Sequence, residues 1–153
     1  VETLKQGAGG GGTPGPDLDF TLRAFPNHTR ALYSMAKLHL RHARQGTKPK
    51  KDVKTFECYF DRAIRFRPND GYNYLVNGYY LHQKKKLKSS LKNYLKALEL
   101  IPPGNLDLHY NLGLLYFDLK DYENALIQAK QAIELGHPLN GLKLKLQSVG
   151  AWK

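Results

Sequence analysis

Residues 105–134 read NLDLHYNLGLLYFDLKDYENALIQAKQAIE, and two amphipathic patterns stand back to back within them. In the first, Leu108, Leu112, Leu115 and Tyr116 recur at helical spacing; in the second, Tyr122, Ala125, Leu126, Ala129, Ala132 and Ile133 do the same. The period is 3.6 rather than 2, so both segments are predicted helices, parted at Lys120–Asp121. Gly113 sits inside the first, where glycine costs roughly 1 kcal/mol against alanine. Ala125, Ala129 and Ala132 line one side of the second. Small residues at facing positions let two helices approach closely, which predicts a tight antiparallel pair.

The same unit extends upstream. Pro26, Pro68 and Pro102 each close an apolar helical run, and the last two stand 34 residues apart. The interval from Pro26 to Pro68 is eight residues longer. Its first helix is placed at Thr29–Arg44, with Leu32, Met35, Ala36 and Leu38 apolar, and its second at Asp52–Phe66, with Phe56, Phe60, Ala63 and Ile64. The surplus falls in the polar turn Gln45–Lys51. Downstream, Leu139, Leu142, Leu146 and Val149 recur at helical spacing. A terminal helix there would cover the last apolar side of a stack, and Trp152 is expected to pack on it.

These residues resemble the tetratricopeptide repeat, a helix–turn–helix unit of about 34 residues. In residues 106–138, His109, Leu112–Gly113, Tyr116, Tyr122, Ala125 and Ala132 occupy the motif's positions, while Ala129 stands where an aromatic is usual. In residues 71–102, Tyr74, Gly78, Tyr94 and Ala97 match, Ser90 replaces the first alanine, and Asn77 replaces a leucine. In residues 29–68, Phe60 and Ala63 match, whereas Phe56 stands in a slot that is normally small, which implies a wider opening between those helices. The resemblance implies an all-α fold, a right-handed α-solenoid of about three helix pairs with a capping helix at 139–149, spanning residues 18–153. The stretches Asp19–His28 and Phe60–Pro68 also resemble a group of small exported bacterial proteins of this family, which implies export or a periplasmic setting rather than the cytoplasm.

Composition agrees with a single domain. A chain of 153 residues supports one core of useful size, and 41% hydrophobic content argues against wholesale disorder. No run reaches the roughly 18 apolar residues of a membrane span. Residues 1–17 hold six glycines and two prolines and read as a flexible arm. Gly7, Gly9 and Gly12 fit a dinucleotide-binding spacing, but prolines follow and no strand precedes, so that reading fails. The single cysteine, Cys58, excludes an internal disulfide and reads as a small core residue. No catalytic constellation stands out. His39 and His42 lack further ligands for a structural zinc site, so neither metal nor cofactor is expected.

Two surfaces are candidates for function. The resemblance implies that the first helices of successive pairs line a concave groove, exposing Tyr33, Lys37, Tyr72, Tyr79, His82, Tyr110, Asn111 and Phe117. The groove would be basic at one end, where Arg30 and Arg41 lie, and acidic at the other, through Asp107 and Asp118. Asn111 matches a position that often bonds the backbone of a bound peptide. The lysine–arginine–asparagine clamp of chaperone co-factors has no counterpart here. The second surface is an edge formed by the turns, with Arg41, Arg44, Lys48, Lys50, Lys51, Lys84, Lys85, Lys86 and Lys88. A net charge of +11 favours acidic partners. The preferred expectation is a non-enzymatic scaffold that grips a protein or peptide of acidic character. The alternative is a polyanion binder, for nucleic acid or a peripherally bound acidic membrane. Nucleic acid is disfavoured because the lysines are not interleaved with aromatics. Self-assembly through the ends of the stack is a variant of the first expectation, with the capping helix opposing it.

Overall fold

The computed structural model describes residues 14–153. Those residues form eight helices and no strand: α1 (Pro14–Ala24), α2 (Thr29–Gln45), α3 (Phe56–Phe66), α4 (Gly71–Gln83), α5 (Leu87–Leu100), α6 (Leu106–Asp118), α7 (Tyr122–Glu134) and α8 (Gly141–Ser148). Local chemistry fixes most of these starts. The side chains of His28, Thr55, Asp70, Asn105 and Asp121 each accept a hydrogen bond from a backbone N–H two or three residues on, satisfying a donor that has no partner within the helix.

The helices stack as an α-solenoid, with α2/α3, α4/α5 and α6/α7 as successive pairs. The second and third pairs are closed by a glycine. A Cβ built on Gly78 would lie 2.6 Å from the ring of Tyr94, and one on Gly113 would lie 3.3 Å from Gln128 Cβ of α7 and 2.4 Å from Leu142 Cδ2 of α8. Only glycine admits neighbours that close. Ser90 stands in the alanine slot opposite Gly78 and donates from its Oγ to the Gly78 carbonyl at 2.7 Å, so its hydroxyl is satisfied in the core. Three apolar clusters follow the stack; the first two each span more than one pair, and the third joins the last pair to α8. The first joins Leu22, Leu32, Met35, Phe56 and Tyr80, the second Tyr94, Leu108, Leu112 and Leu115, and the third Ala125, Ala129, Leu142 and Leu146.

Several sequence expectations are corrected. Of the arm assigned to residues 1–17, residues 1–13 lie outside the described residues, and Pro14–Asp17 form the first turn of α1. Helix α3 begins at Phe56 rather than Asp52, because Thr55 caps it and Lys54 donates its N–H to the Tyr59 hydroxyl instead of joining a helix. The turn before it is correspondingly longer. The C-terminal helix is shorter than 139–149: only Leu142 and Leu146 fall on its packed side, while Leu139 and Val149 lie outside it and are exposed. Cys58 is half-buried rather than in the core. Trp152 does pack on the α8 cluster, with the Lys143 ammonium 5.1 Å from its ring centre.

Phe56 accounts for the shape of the first pair. It is fully buried, and its ring tilts over Tyr80 of α4 at 4.2 Å. Helix α2 lies along α4 more than along α3. Helix α1 packs on α2, and Tyr59 of α3 donates to Asp19 of α1 at 2.6 Å, with Arg23 on the other carboxylate oxygen at 3.1 Å.

Candidate functional site

The first helices of the three pairs each present a stripe at i, i+3 or i+4 spacing. These are Tyr33 and Lys37 on α2, Tyr72, Leu75, Tyr79 and His82 on α4, and Asp107, Asn111, Leu114 and Asp118 on α6. Direct contacts show that the stripes lie side by side. The Tyr33 and Tyr79 rings meet at 4.8 Å, tilted by 53°, and the Lys37 ammonium sits 4.3 Å from the centre of the Tyr33 ring. At the far end of α4, His82 Nε2 lies 2.6 Å from Asp118 Oδ2.

Burial pushes the Tyr33 hydroxyl well above its ordinary range, with Tyr79 and then Asp107 adding to the effect. Beneath the pair, Tyr94 is fully buried and its hydroxyl has no hydrogen-bond partner. Its titration is raised too, first by burial and then by the charges of Tyr33 and Tyr79. Tyr33 and Tyr94 therefore stay neutral at physiological pH.

The remaining groove candidates divide into two sets. Tyr110 stacks on His137 with ring centres 4.0 Å apart, and His137 Nε2 lies 3.3 Å from Asp107 Oδ1. Phe117 meets Tyr122 at 5.3 Å and lies under the Lys145 ammonium, also at 5.3 Å. Both Tyr110 and Phe117 pack with the cluster beneath α8, which lies where the first helix of a further pair would lie. By contrast, Tyr72 is 40% exposed, and the half-buried Asn111 amide makes no hydrogen bond among the described residues.

The nine basic edge residues, Arg41, Arg44, Lys48, Lys50, Lys51, Lys84, Lys85, Lys86 and Lys88, are all exposed. Arg44 and Lys84 line one cleft with Leu40, Ala43 and Gln83. Lys51 lines another, beside α1, together with Asp19, Arg23, Asp52, Lys54 and Arg62. His42 bonds to Thr47 Oγ1 at 2.7 Å, while His39 is turned inward, its Nε2 buried without a partner and its pKa lowered, chiefly by that burial. The sequence reading missed His137 and the pairing of both α6 carboxylates with histidines. Neither has a signal at short range, since His82 and Asp118 lie 36 residues apart. No helix among the described residues is long and apolar enough to cross a membrane.

Comparison with known proteins agrees with this geometry. Residues 106–136 match the family model described as Tetratricopeptide repeat. The chain is similar to Protein O-mannosyl-transferase TMTC3 of Mus musculus, 32% identical over 106 residues, covering 69% of this chain and 11% of that protein. The Homo sapiens protein of the same name is 31% identical over 111 residues, again with 11% of its length covered. The chain thus spans about a tenth of the length of these relatives. Among solved structures, MamA superposes with a TM-score of 0.63 at 14% identity, covering 90% of this chain and 78% of that one. YrrB, described as a TPR protein with an unusual peptide-binding site, superposes at 0.59 with 21% identity, covering 88% and 64%. A matched repeat in the third pair and a shared solenoid across most of the chain lead to one conclusion: residues 106–136 are a tetratricopeptide repeat, set in an α-solenoid.

Proposed function

We propose that the chain is a non-enzymatic scaffold that binds an extended segment of another protein along the face of α2, α4 and α6. The observation that carries this reading is Asn111. Its amide lies half-buried on the α6 stripe with no hydrogen bond to the described residues, open to a partner's backbone. An extended backbone laid across α6 would supply both a carbonyl and an N–H to it. Tyr72 and Tyr79 would flank that backbone, and aromatics of this kind give contact area at low entropic cost. The likeness to YrrB, which has a peptide-binding site, supports the same use of the fold. Lys37, over the Tyr33 ring, and Arg41 put positive charge at the α2 end of this face, which suits a bound segment that is acidic there.

Selection of displayed peptides against the whole chain tests this. Asn111→Ala and Tyr72→Ala should each weaken selected peptides about tenfold, or about 1.4 kcal/mol. Lys130→Ala on the outer side of α7 should leave them unchanged. Peptides that bind the Asn111 and Tyr72 variants as well as the parent would refute the groove.

A second reading follows from the cleft that Arg44 and Lys84 share, which brings bases from two turns together. An acidic partner docked there would bind with an affinity that falls steeply as salt rises. An affinity independent of salt would exclude that edge.

A further inference from the structure

The parts of this chain that depart from a regular repeat meet in one place. Helix α1 precedes the first pair, and the turn between α2 and α3 carries the surplus residues. Insertions into a repeat stack fall in loops, and binding residues gather on loops that a rigid scaffold holds. Here α1, the turn and α3 together line a cavity of about 580 Å³. That volume lies in the range of small-molecule sites.

The walls of the cavity are tied to one another. The Lys54 N–H of the turn donates to the Tyr59 hydroxyl of α3 at 3.0 Å, and that hydroxyl donates to Asp19 of α1 at 2.6 Å. Arg23 holds the other Asp19 oxygen at 3.1 Å. This chain of bonds joins all three elements, so the groups around the cavity are in place before a ligand arrives. It also neutralises the buried acid, since Arg23 balances Asp19.

The charge that remains is positive. Lys51, Lys54 and Arg62 line the cavity against a single further acid, Asp52. Lys51, Asp52 and Arg62 form no hydrogen bond or ion pair with the described residues. Arg62 is half-buried as well. A guanidinium carries N–H donors in a rigid fork and no acceptor, and it is suited to paired oxygens of a carboxylate or phosphate.

We infer that this cavity binds a small phosphate monoester, of the phosphorylated sugar or polyol class. Its two positive charges in excess match a monoester, which carries close to two negative charges at about pH 7. A carboxylate or a phosphodiester carries one. Arg62 supplies the fork for two phosphate oxygens, and Lys51 and Lys54 supply point charges. Among the described residues no aromatic ring lines the cavity, so a nucleobase has nothing to stack on. The Asp52 carboxylate is open to hydroxyls of the carrier. The site uses neither the face of α2, α4 and α6 nor the cleft of Arg44 and Lys84, and stands or falls apart from both.

Amide chemical shifts of the isotope-labelled whole chain, followed as inositol monophosphate is added to about 10 mM, test the inference. Saturable shifts should appear around Arg23, Lys51, Lys54 and Arg62. Arg62→Gln should weaken binding about tenfold or more, and Arg62→Lys, which keeps the charge and loses the fork, by less. The spectra themselves show whether each variant keeps its fold. Inositol monosulfate, with one charge fewer, should bind about tenfold more weakly than the phosphate. Lys88→Gln removes the same charge outside the cavity and should leave binding unchanged. Absence of saturable shifts in the parent, or equal weakening by Lys88→Gln and Arg62→Gln, would overturn the site. Inorganic phosphate or a phosphoserine peptide binding more tightly than inositol monophosphate would overturn the ligand class.

Discussion

The first helix pair and the two that follow are held together by different means. In α4/α5 and α6/α7 the helices close on a glycine, with Gly78 against the Tyr94 ring and Gly113 against Leu142 and the Gln128 Cβ. In α2/α3 the glycine gives way to buried Ala36, and the small slot on the second helix holds Phe56. A ring cannot occupy that slot without moving the helices apart, and the Phe56 ring meets Tyr80 of α4. The gap is filled from outside the pair, by α1 and by the long turn, through Asp19, Tyr59 and Lys54. The same repeat pattern thus yields a closed hairpin where small residues face each other, and an open one braced by its neighbours where they do not.

The strongest way to break this comparison is to give the first pair the residue the others have. Phe56→Ala removes a fully buried ring. If α1 and the long turn hold α3 in place, the cavity cannot collapse, and the cost should be about 3–5 kcal/mol. Denaturant unfolding would measure it. A cost below about 1.5 kcal/mol would mean that the pair closes once the ring is gone, and that Phe56 alone sets the opening.

Next in size is the contrast between the two glycines. In Gly78→Ala the new methyl meets ring atoms of Tyr94, which is fully buried and cannot swing away. Overpacking of this kind costs about 1–3 kcal/mol, from which the better helix propensity of alanine recovers up to about 1. In Gly113→Ala the close atom is the tip of the Leu142 side chain on α8, a short terminal helix that can yield. The first substitution should therefore be the more destabilising in thermal melts. Equal losses would show that α8 is held as rigidly as α5.

Much of this was legible in the sequence, and the failures follow a pattern. The second and third pairs were placed nearly to the residue, because period, glycine, alanine and proline all agree there. The wide first pair was foreseen from Phe56. The start of α3 was not, because Asp52 and Val53 continue a plausible helical pattern and only the Thr55 cap and the Tyr59 hydroxyl end it. For the candidate site, the resemblance implied the stripes but carried nothing about their pairings. That Tyr110 and Phe117 lie under α8, and that His82 and His137 hold the two α6 carboxylates, depends on how far apart the helices come to rest. An amphipathic pattern records which side of a helix is buried, and leaves open which neighbour buries it.

The smallest effect separates the same regions at their turns. After α2 the chain reverses through Gly46, at φ 65°, whereas after α4 and α6 the equivalent residues are Lys85 and Lys120, both at φ 62°. All three turns share one hydrogen-bond pattern, seen in Thr47 N–H to His42 O, Lys86 N–H to Leu81 O and Asp121 N–H to Tyr116 O. It is a helix ending that glycine favours, since a Cβ crowds the backbone in the left-handed region. Lys85→Gly and Lys120→Gly should therefore each stabilise the fold by about 0.5–1 kcal/mol, part of the relief being lost to the greater freedom of glycine in the unfolded chain. Gly46→Lys should destabilise by a similar amount. If Lys120→Gly stabilises and Lys85→Gly does not, the Lys85 side chain makes a favourable contact that offsets the strain of its left-handed backbone. If neither does, the closed pairs impose the left-handed turn so firmly that the residue occupying it no longer matters.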